Sequence, residues 1–301
     1  MAALAPAARA GFDWSQPLHA ARPVGTGRAD RAAAEATRCA QQYGGLVSDP
    51  ILHATAVTKR YGKFTALDDV TLRIMPRTVH SVIGPNGAGK TTLFHVLTGT
   101  LPITSGNIVF DGHDVTREAD YRRVKRGIAR SFQVTSLFAN LSVRENLRVA
   151  VQGVDSNHAF NAWMPPRGAL EHTGIVDPIL ERLALTRFAG TLAGALSHGQ
   201  QRRLEVGMAL AAQPKAIFLD EPTSGMGIDD LDDMKQLIRG LRDDYTVVLI
   251  EHNMGIVMDI SDTITVMQQG RVLVEGRPDD IRGDERVRRA YLGNMITGGR
   301  A

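Results

Sequence analysis

The sequence predicts an α/β fold, and three observations support it. From Ile51 onward, short apolar runs of strand length alternate with longer helical patterns. One such run, Val79 to Ile83, feeds directly into a glycine-rich loop. Another, Ala216 to Leu219, ends in the adjacent carboxylates Asp220 and Glu221. After the glycine loop, Thr91 to Leu97 reads as a helix closed by Gly99 and Pro102. Asn107 to Phe110 and Val115 flank Asp111-Gly112, a dipeptide suited to a tight hairpin. Between Gln133 and Pro214 the pattern is mainly helical, with a looser stretch around Gly153 to Gly174. Thr246 to Ile250 is a further buried-strand candidate. No internal repeat is visible.

The totals narrow the class. The 301 residues are 43% hydrophobic and 22% charged, ordinary for a globular chain and long enough to bury a core. A net charge of +3 is too small to imply nucleic acid as a partner. The single cysteine, Cys39, can form no intramolecular disulfide, and a reducing cytosolic setting is the simplest reading. No run approaches the roughly 20 apolar residues that span a bilayer, so a membrane role is expected to run through a partner. Residues 1–50 are rich in Ala, Arg and Gly, poor in Ile, Leu and Val, and without sustained period. They are expected to be a disordered extension; they lack the continuous apolar core of a secretory signal.

Gly84-Pro85-Asn86-Gly87-Ala88-Gly89-Lys90-Thr91 fits G-x-x-x-x-G-K-[ST]. Its glycines let backbone N–H groups turn inward around phosphate oxygens, and the following helix adds its positive end. Lys90 is placed to neutralise the β- and γ-phosphates, and the Thr91 hydroxyl to ligate Mg²⁺. At the end of its apolar strand, Asp220 suits the Mg²⁺ shell and Glu221 a general base for the attacking water. Read alone, the same pair is compatible with a solvated turn.

Leu196-Ser197-His198-Gly199-Gln200 opens a further helix, with Ser197 as its N-cap and Leu204, Gly207, Met208, Ala211 and Ala212 on one face. With this motif the chain resembles the ATP-binding cassette (ABC) ATPases, whose signature is usually LSGGQ; His198 replaces the first glycine. The resemblance covers Ile51 to the C-terminus. It implies a P-loop NTPase of the ABC type: a RecA-like core, a β-rich N-terminal part and an inserted α-helical subdomain at approximately 134–213. It also implies that ATP is sandwiched between two cassettes. The loop residues, together with Thr92, hold ATP from one chain, while Ser197, Gly199 and Gln200 reach the γ-phosphate from the other.

Further positions follow from the same resemblance. Gln133, in Arg130-Ser131-Phe132-Gln133, matches the glutamine that links Mg²⁺ and water to the membrane partner. His252 matches the histidine that contacts the γ-phosphate, and Tyr61 the aromatic that stacks on adenine. Ser224-Gly225-Met226-Gly227 stands where many cassettes have S-A-L-D, which leaves the usual aspartate unassigned. The basic run Arg122, Arg123, Lys125, Arg126 and Arg130 has no interleaved aromatics and is expected to be a solvated helical face. The acidic run Asp229, Asp230, Asp232 and Asp233 is expected to complement a helix start rather than hold a metal.

Among cassettes, the chain is similar to the ATPases of branched-chain amino acid importers. The similarity rests on Gly127-Ile128-Ala129-Arg130-Ser131-Phe132-Gln133, Leu141-Ser142-Val143-Arg144-Glu145-Asn146, Gln200-Gln201-Arg202-Arg203-Leu204-Glu205, Ile250-Glu251-His252-Asn253-Met254 and Ala290-Tyr291-Leu292-Gly293. Urea and short-chain amide importers, and the lipopolysaccharide-export ATPase, share much of this pattern. A soluble ABC protein acting on ribosomes or DNA is the reading from another class. The importer reading implies ATP and Mg²⁺ as cofactors and no nucleic acid. Its partners would be transmembrane permeases, a second cassette and, indirectly, an external binding protein. Its place would be the cytoplasmic face of the inner membrane.

Overall fold

The computed structural model describes residues 49–131, 137–154 and 173–297. Two sheets organise the fold. The first is antiparallel: β1 (Leu52–Tyr61) pairs with β2 (Phe64–Ile74) on one side and with β4 (Ser105–Phe110) on the other. Strand β4 turns through Asp111-Gly112 into β5 (His113–Asp114). Asp111 has φ 48° and Gly112 φ 75°, the paired positive φ that a two-residue hairpin demands.

The second sheet has the order β10-β9-β3-β8-β7-β6. Here β3 is Val79–Ile83, β6 Ile128–Arg130, β7 Ala216–Asp220, β8 Thr246–Ile250, β9 Thr263–Gln268 and β10 Arg271–Gly276. All neighbours are parallel except the β9–β10 edge pair. Side chains alternate along a strand, so each apolar run feeds two cores. Val79, Ile217, Leu219, Val247 and Leu249 belong to one; Val82, Ala216, Phe218, Val248 and Ile250 belong to the other.

The second of these cores lies between the sheets and takes in helix α1 (Lys90–Thr98) through Leu93, Phe94, Val96 and Leu97. Phe94 meets Phe218 edge to face at 5.2 Å between ring centroids. The first core is covered by α3 (Val143–Val154), α4 (Thr173–Arg182) and α5 (His198–Leu210), which lie in sequence between β6 and β7, and by α6 (Ile228–Leu241). A third cluster joins Ile83, Val257, Ile264 and Val266 to Ile281 and Val287. It brings α7 (Met254–Ile260), α8 (Pro278–Gly283) and α9 (Glu285–Thr297) against the end of the sheet. No helix among the described residues is long and apolar enough to cross a membrane.

One patterning expectation fails. The basic run is not one solvated face. Of the basic residues in helix α2 (Asp120–Arg126), only Arg122 and Lys125 are exposed. Arg123 is 1% exposed and donates to the carbonyls of Val96 (2.9 Å) and Leu97 (2.7 Å), capping the C-terminus of α1. Burial pushes its guanidinium down to about 10. Arg126 is held bidentate by Glu118, and Arg130 bonds Asp220. Helix α5 sets Leu204 and Met208 of its apolar face into or against the first core, and Arg203, Glu205, Val206 and Ala209 are buried as well. It runs between α3 and α4 on one side and α6 and the sheet on the other. The acidic run behaves as expected at its start, with Asp229 and Asp230 in the first turn of α6.

Candidate nucleotide site

The glycine loop leaves β3 at Gly84, whose φ of 151° and close approach to the Met267 carbonyl exclude any side chain. Gly89 has φ 100°, and a Cβ there would lie 2.8 Å from the Ala66 carbonyl. A Cβ at Gly87 would meet nothing within 4 Å, so the crest of the loop opens outward. Helix α1 starts at Lys90 with no side-chain cap on its first amides. Those amides are therefore available to an anion at the positive end of the helix. Lys90 is 6% exposed and donates to the carbonyls of Gly84 (2.7 Å) and Pro85 (3.2 Å), lying across the loop. Burial lowers its pKa, and the charges of Glu221 and Asp220 oppose that shift. Thr91 is exposed on the first turn and Thr92 half-buried behind it.

The parallel register β3-β8-β7 lines up the strand ends beside this loop. Asp220 is 5% exposed at the end of β7. Its Oδ2 accepts from Arg130 at 3.1 Å, while Oδ1 is buried with no hydrogen-bond partner among the described residues. Burial raises its pKa, against the pull of Arg130. A buried carboxylate oxygen left over in this way fits a hard cation. Among the described residues no cluster of three acids, histidines or cysteines would hold a metal alone. Asp220 and Thr91 would hold Mg²⁺ together with phosphate oxygens.

Glu221 adopts φ 49°, and its N–H still bonds the Ile250 carbonyl at 2.9 Å. The strand thus turns sharply at the carboxylate, a conformation that costs roughly 1–2 kcal/mol in a non-glycine residue. The turn brings Glu221 Oε1 within 2.5 Å of His252 Nε2, beyond the end of β8. Lys90, Asp220, Glu221 and His252 therefore converge from three neighbouring strand ends.

Other expected site residues lie elsewhere. Tyr61 and its cross-strand neighbour Phe64 are exposed at the tip of the β1–β2 hairpin, with the Lys59 ammonium 5.0 Å from the Tyr61 ring centroid. The same hairpin touches the loop through Ala66 and Leu67, against Gly89. Ser197 and Gln200 form a reciprocal capping box at the start of α5, Ser197 Oγ accepting from Gln200 N at 3.3 Å and Gln200 Oε1 from Ser197 N at 3.0 Å. Gly199 lies under the Asp230 carboxylate, with no room for a Cβ. Their contacts do not reach Lys90, Asp220, Glu221 or His252 within the chain. Gln133 lies outside the described residues.

Two functional neighbours escaped the sequence reading. Glu251 is 3% exposed, accepts from Thr223 N (3.0 Å) and Oγ1 (2.5 Å), and takes the His252 amide on its other oxygen. The available signal was the acid at the end of the β8 run, the same signal that marks Asp220. Arg130 is the second, and only its pairing with Asp220 reveals it.

The profile of the family described as ABC transporter matches residues 67–224, just over half of the chain. The chain belongs to the ABC transporter family. It is an ATPase of that family. A second profile, described as branched-chain amino acid ATP-binding cassette transporter, matches residues 271–295. The cassette is 40% identical over 253 residues to the high-affinity branched-chain amino acid transport ATP-binding protein BraF of Pseudomonas aeruginosa, covering 82% of this chain and 99% of that one. To the lipopolysaccharide export system ATP-binding protein LptB of Haemophilus influenzae it is 34% identical over 247 residues, 82% and 98% of the two chains. Among solved structures it is similar to the ADP conformation of MJ1267, an ATP-binding cassette of an ABC transporter. That similarity has a TM-score of 0.71 and 32% identity, and covers 82% of this chain and 100% of the other.

Proposed function

We propose that this cassette hydrolyses ATP to energise the uptake of branched-chain amino acids through partner permeases. The observation that carries the chemistry is the convergence of Lys90, Asp220, Glu221 and His252 at the loop mouth. The amino acid class is supported by the profile over residues 271–295 and by the higher identity to BraF than to LptB.

In this reading the loop Gly84 to Lys90 cradles the phosphates through the N–H groups of its non-proline residues, with Thr92 beside it, and Tyr61 stacks on the base. Lys90 exchanges its bonds to Gly84 and Pro85 for phosphate oxygens. Thr91, Asp220 and Gln133 would hold Mg²⁺, which would supply charge neutralisation at the phosphates. Glu221 takes a proton from the attacking water, and His252, bonded to Glu221, orients it and faces the γ-phosphate. Ser197, Gly199 and Gln200 of a second cassette close the site from the other side, and the segment around Gln133 carries the closure to the permease. An external binding protein delivers the cargo on the far side of the inner membrane, and no nucleic acid takes part.

Glu221→Gln keeps shape and hydrogen bonding but removes the base. ATP binding is expected to persist while turnover falls by about 10²–10⁴-fold. Wild-type turnover by that variant would remove Glu221 from the role. For cargo, deleting the cassette in its native host should abolish labelled leucine uptake. Undiminished leucine uptake would move the reading to another substrate.

A further inference from the structure

Among the departures from the usual motifs are His198 in the signature and Gly225 in the loop after β7. They are in contact. His198 Nε2 lies 3.2 Å from the Ser224 carbonyl, across 26 residues of sequence. A carbonyl only accepts, so Nε2 carries the proton; neutral and cationic imidazole both keep that donor. Gly225 has φ 75°, and a Cβ there would stand 3.2 Å from the same ring nitrogen. The side chain on one loop fills the space that its absence leaves on the other.

We infer that His198 is a positioning residue that ties the Ser224–Gly227 loop to the start of the signature helix. The helix does not need it as a cap, because Ser197 and Gln200 already satisfy each other there. A second link runs beside it, where the Asp230 carboxylate rests on Gly199. At its other end the loop is anchored by Thr223, whose N–H and hydroxyl both bond buried Glu251. Glu251 also holds the His252 amide, and His252 bonds Glu221. The contacts therefore run from the catalytic acid through Glu251, Thr223, Ser224 and His198 to the signature. In the two-cassette reading on which this step rests, the half-site a chain uses and the half-site it lends to its partner are mechanically joined.

The test is amide hydrogen exchange in the full-length chain without nucleotide, read on a peptide spanning 222–228. His198→Gly should speed exchange there about threefold to tenfold, the range that loss of one hydrogen bond carries. His198→Gln, which restores an N–H donor, should stay near the wild type. Equal exchange in His198→Gly and wild type, or no rescue by His198→Gln, overturns the tie. A turnover cycle with His198→Gly, Gly225→Ala and the double variant reads the same coupling during catalysis. Each single change should lower kcat several-fold with ATP affinity of the single chain unchanged, and the double should recover part of the loss. Strictly additive losses overturn the catalytic half of the inference. A wild-type chain that fails to turn over ATP defeats the ATPase reading instead, and the exchange comparison still decides the tie.

Discussion

The loop-and-strand-end half of the site and the signature half are built from different materials. The first is held by backbone. Asp220, Glu221 and His252 stand at or just past the ends of β7 and β8, and Lys90 opens the helix that the loop after β3 feeds; β3, β7 and β8 are parallel strands buried on both faces whose register fixes where each one stops. The second is held by side chains between an exposed helix start and an exposed loop: a capping box, one histidine bond and one carboxylate over a glycine. A group set by sheet register shifts only if the sheet does; a group set by one side-chain bond shifts when that bond breaks. In the proposed two-cassette site, the difference gives rigidity to the chemistry and adjustability to the surface offered to a second cassette.

The sharpest way to break this comparison is to remove the cation from the rigid half. Lys90→Ala should cut ATP turnover by at least about 100-fold, because a buried preorganised charge at the phosphates is lost. A loss no larger than that of His198→Gly would erase the distinction between the halves.

The next effect tests whether the sheet itself stays fixed. His80 on β3 is 1% exposed, bonds the Thr265 hydroxyl at 2.8 Å, and lies 4.0 Å from Glu275, itself near Arg73. Burial lowers its pKa to about 4. As pH falls below 6.5 the unfolded chain takes a proton that the folded chain refuses. Stability present at neutral pH is thus lost towards pH 4, by about 3 kcal/mol at most. Glu275, whose pKa burial raises, takes a proton early in the folded state and offsets part of that loss. Urea midpoints followed from pH 7 to 4 should fall more steeply for the wild type than for His80→Gln.

A smaller effect sharpens the boundary between the halves. Glu251→Ala strands the buried Thr223 N–H and should cost about 2 kcal/mol, with Glu251→Gln milder because it keeps an acceptor. Turnover should fall in both, since Glu251 also holds the His252 amide. The smallest effect is a control far from either half. Exposed Lys215 pairs with Asp111, and Lys215→Met should change stability by less than about 0.5 kcal/mol in a chemical melt.

The same division explains what could be read from sequence. Strand ends are legible because short apolar runs stop where acids or glycines begin, as at Ile83-Gly84 and Leu219-Asp220. Ser197 was legible as a cap because its chemistry is local. Arg123 was misread because its partners, the last carbonyls of α1, lie 26 and 27 residues away and leave no mark on its own helix period. Arg130 and Glu251 were passed over for the same reason: one ion pair and one buried acceptor depend on register between strands. The contact between His198 and Ser224 required both unusual loops to be in place at once.

Strand β6 has one more consequence, and it is mechanical. It is three residues long, pairs with β7 from Ile128 to Arg130, and is continued by the Ser131 N–H bond to Phe218. Its last residue grips Asp220. A load arriving at Ser131 from the C-terminal side, where Gln133 follows, meets the catalytic strand within a single residue. A short root of this kind leaves one backbone bond and one ion pair between such a load and Asp220.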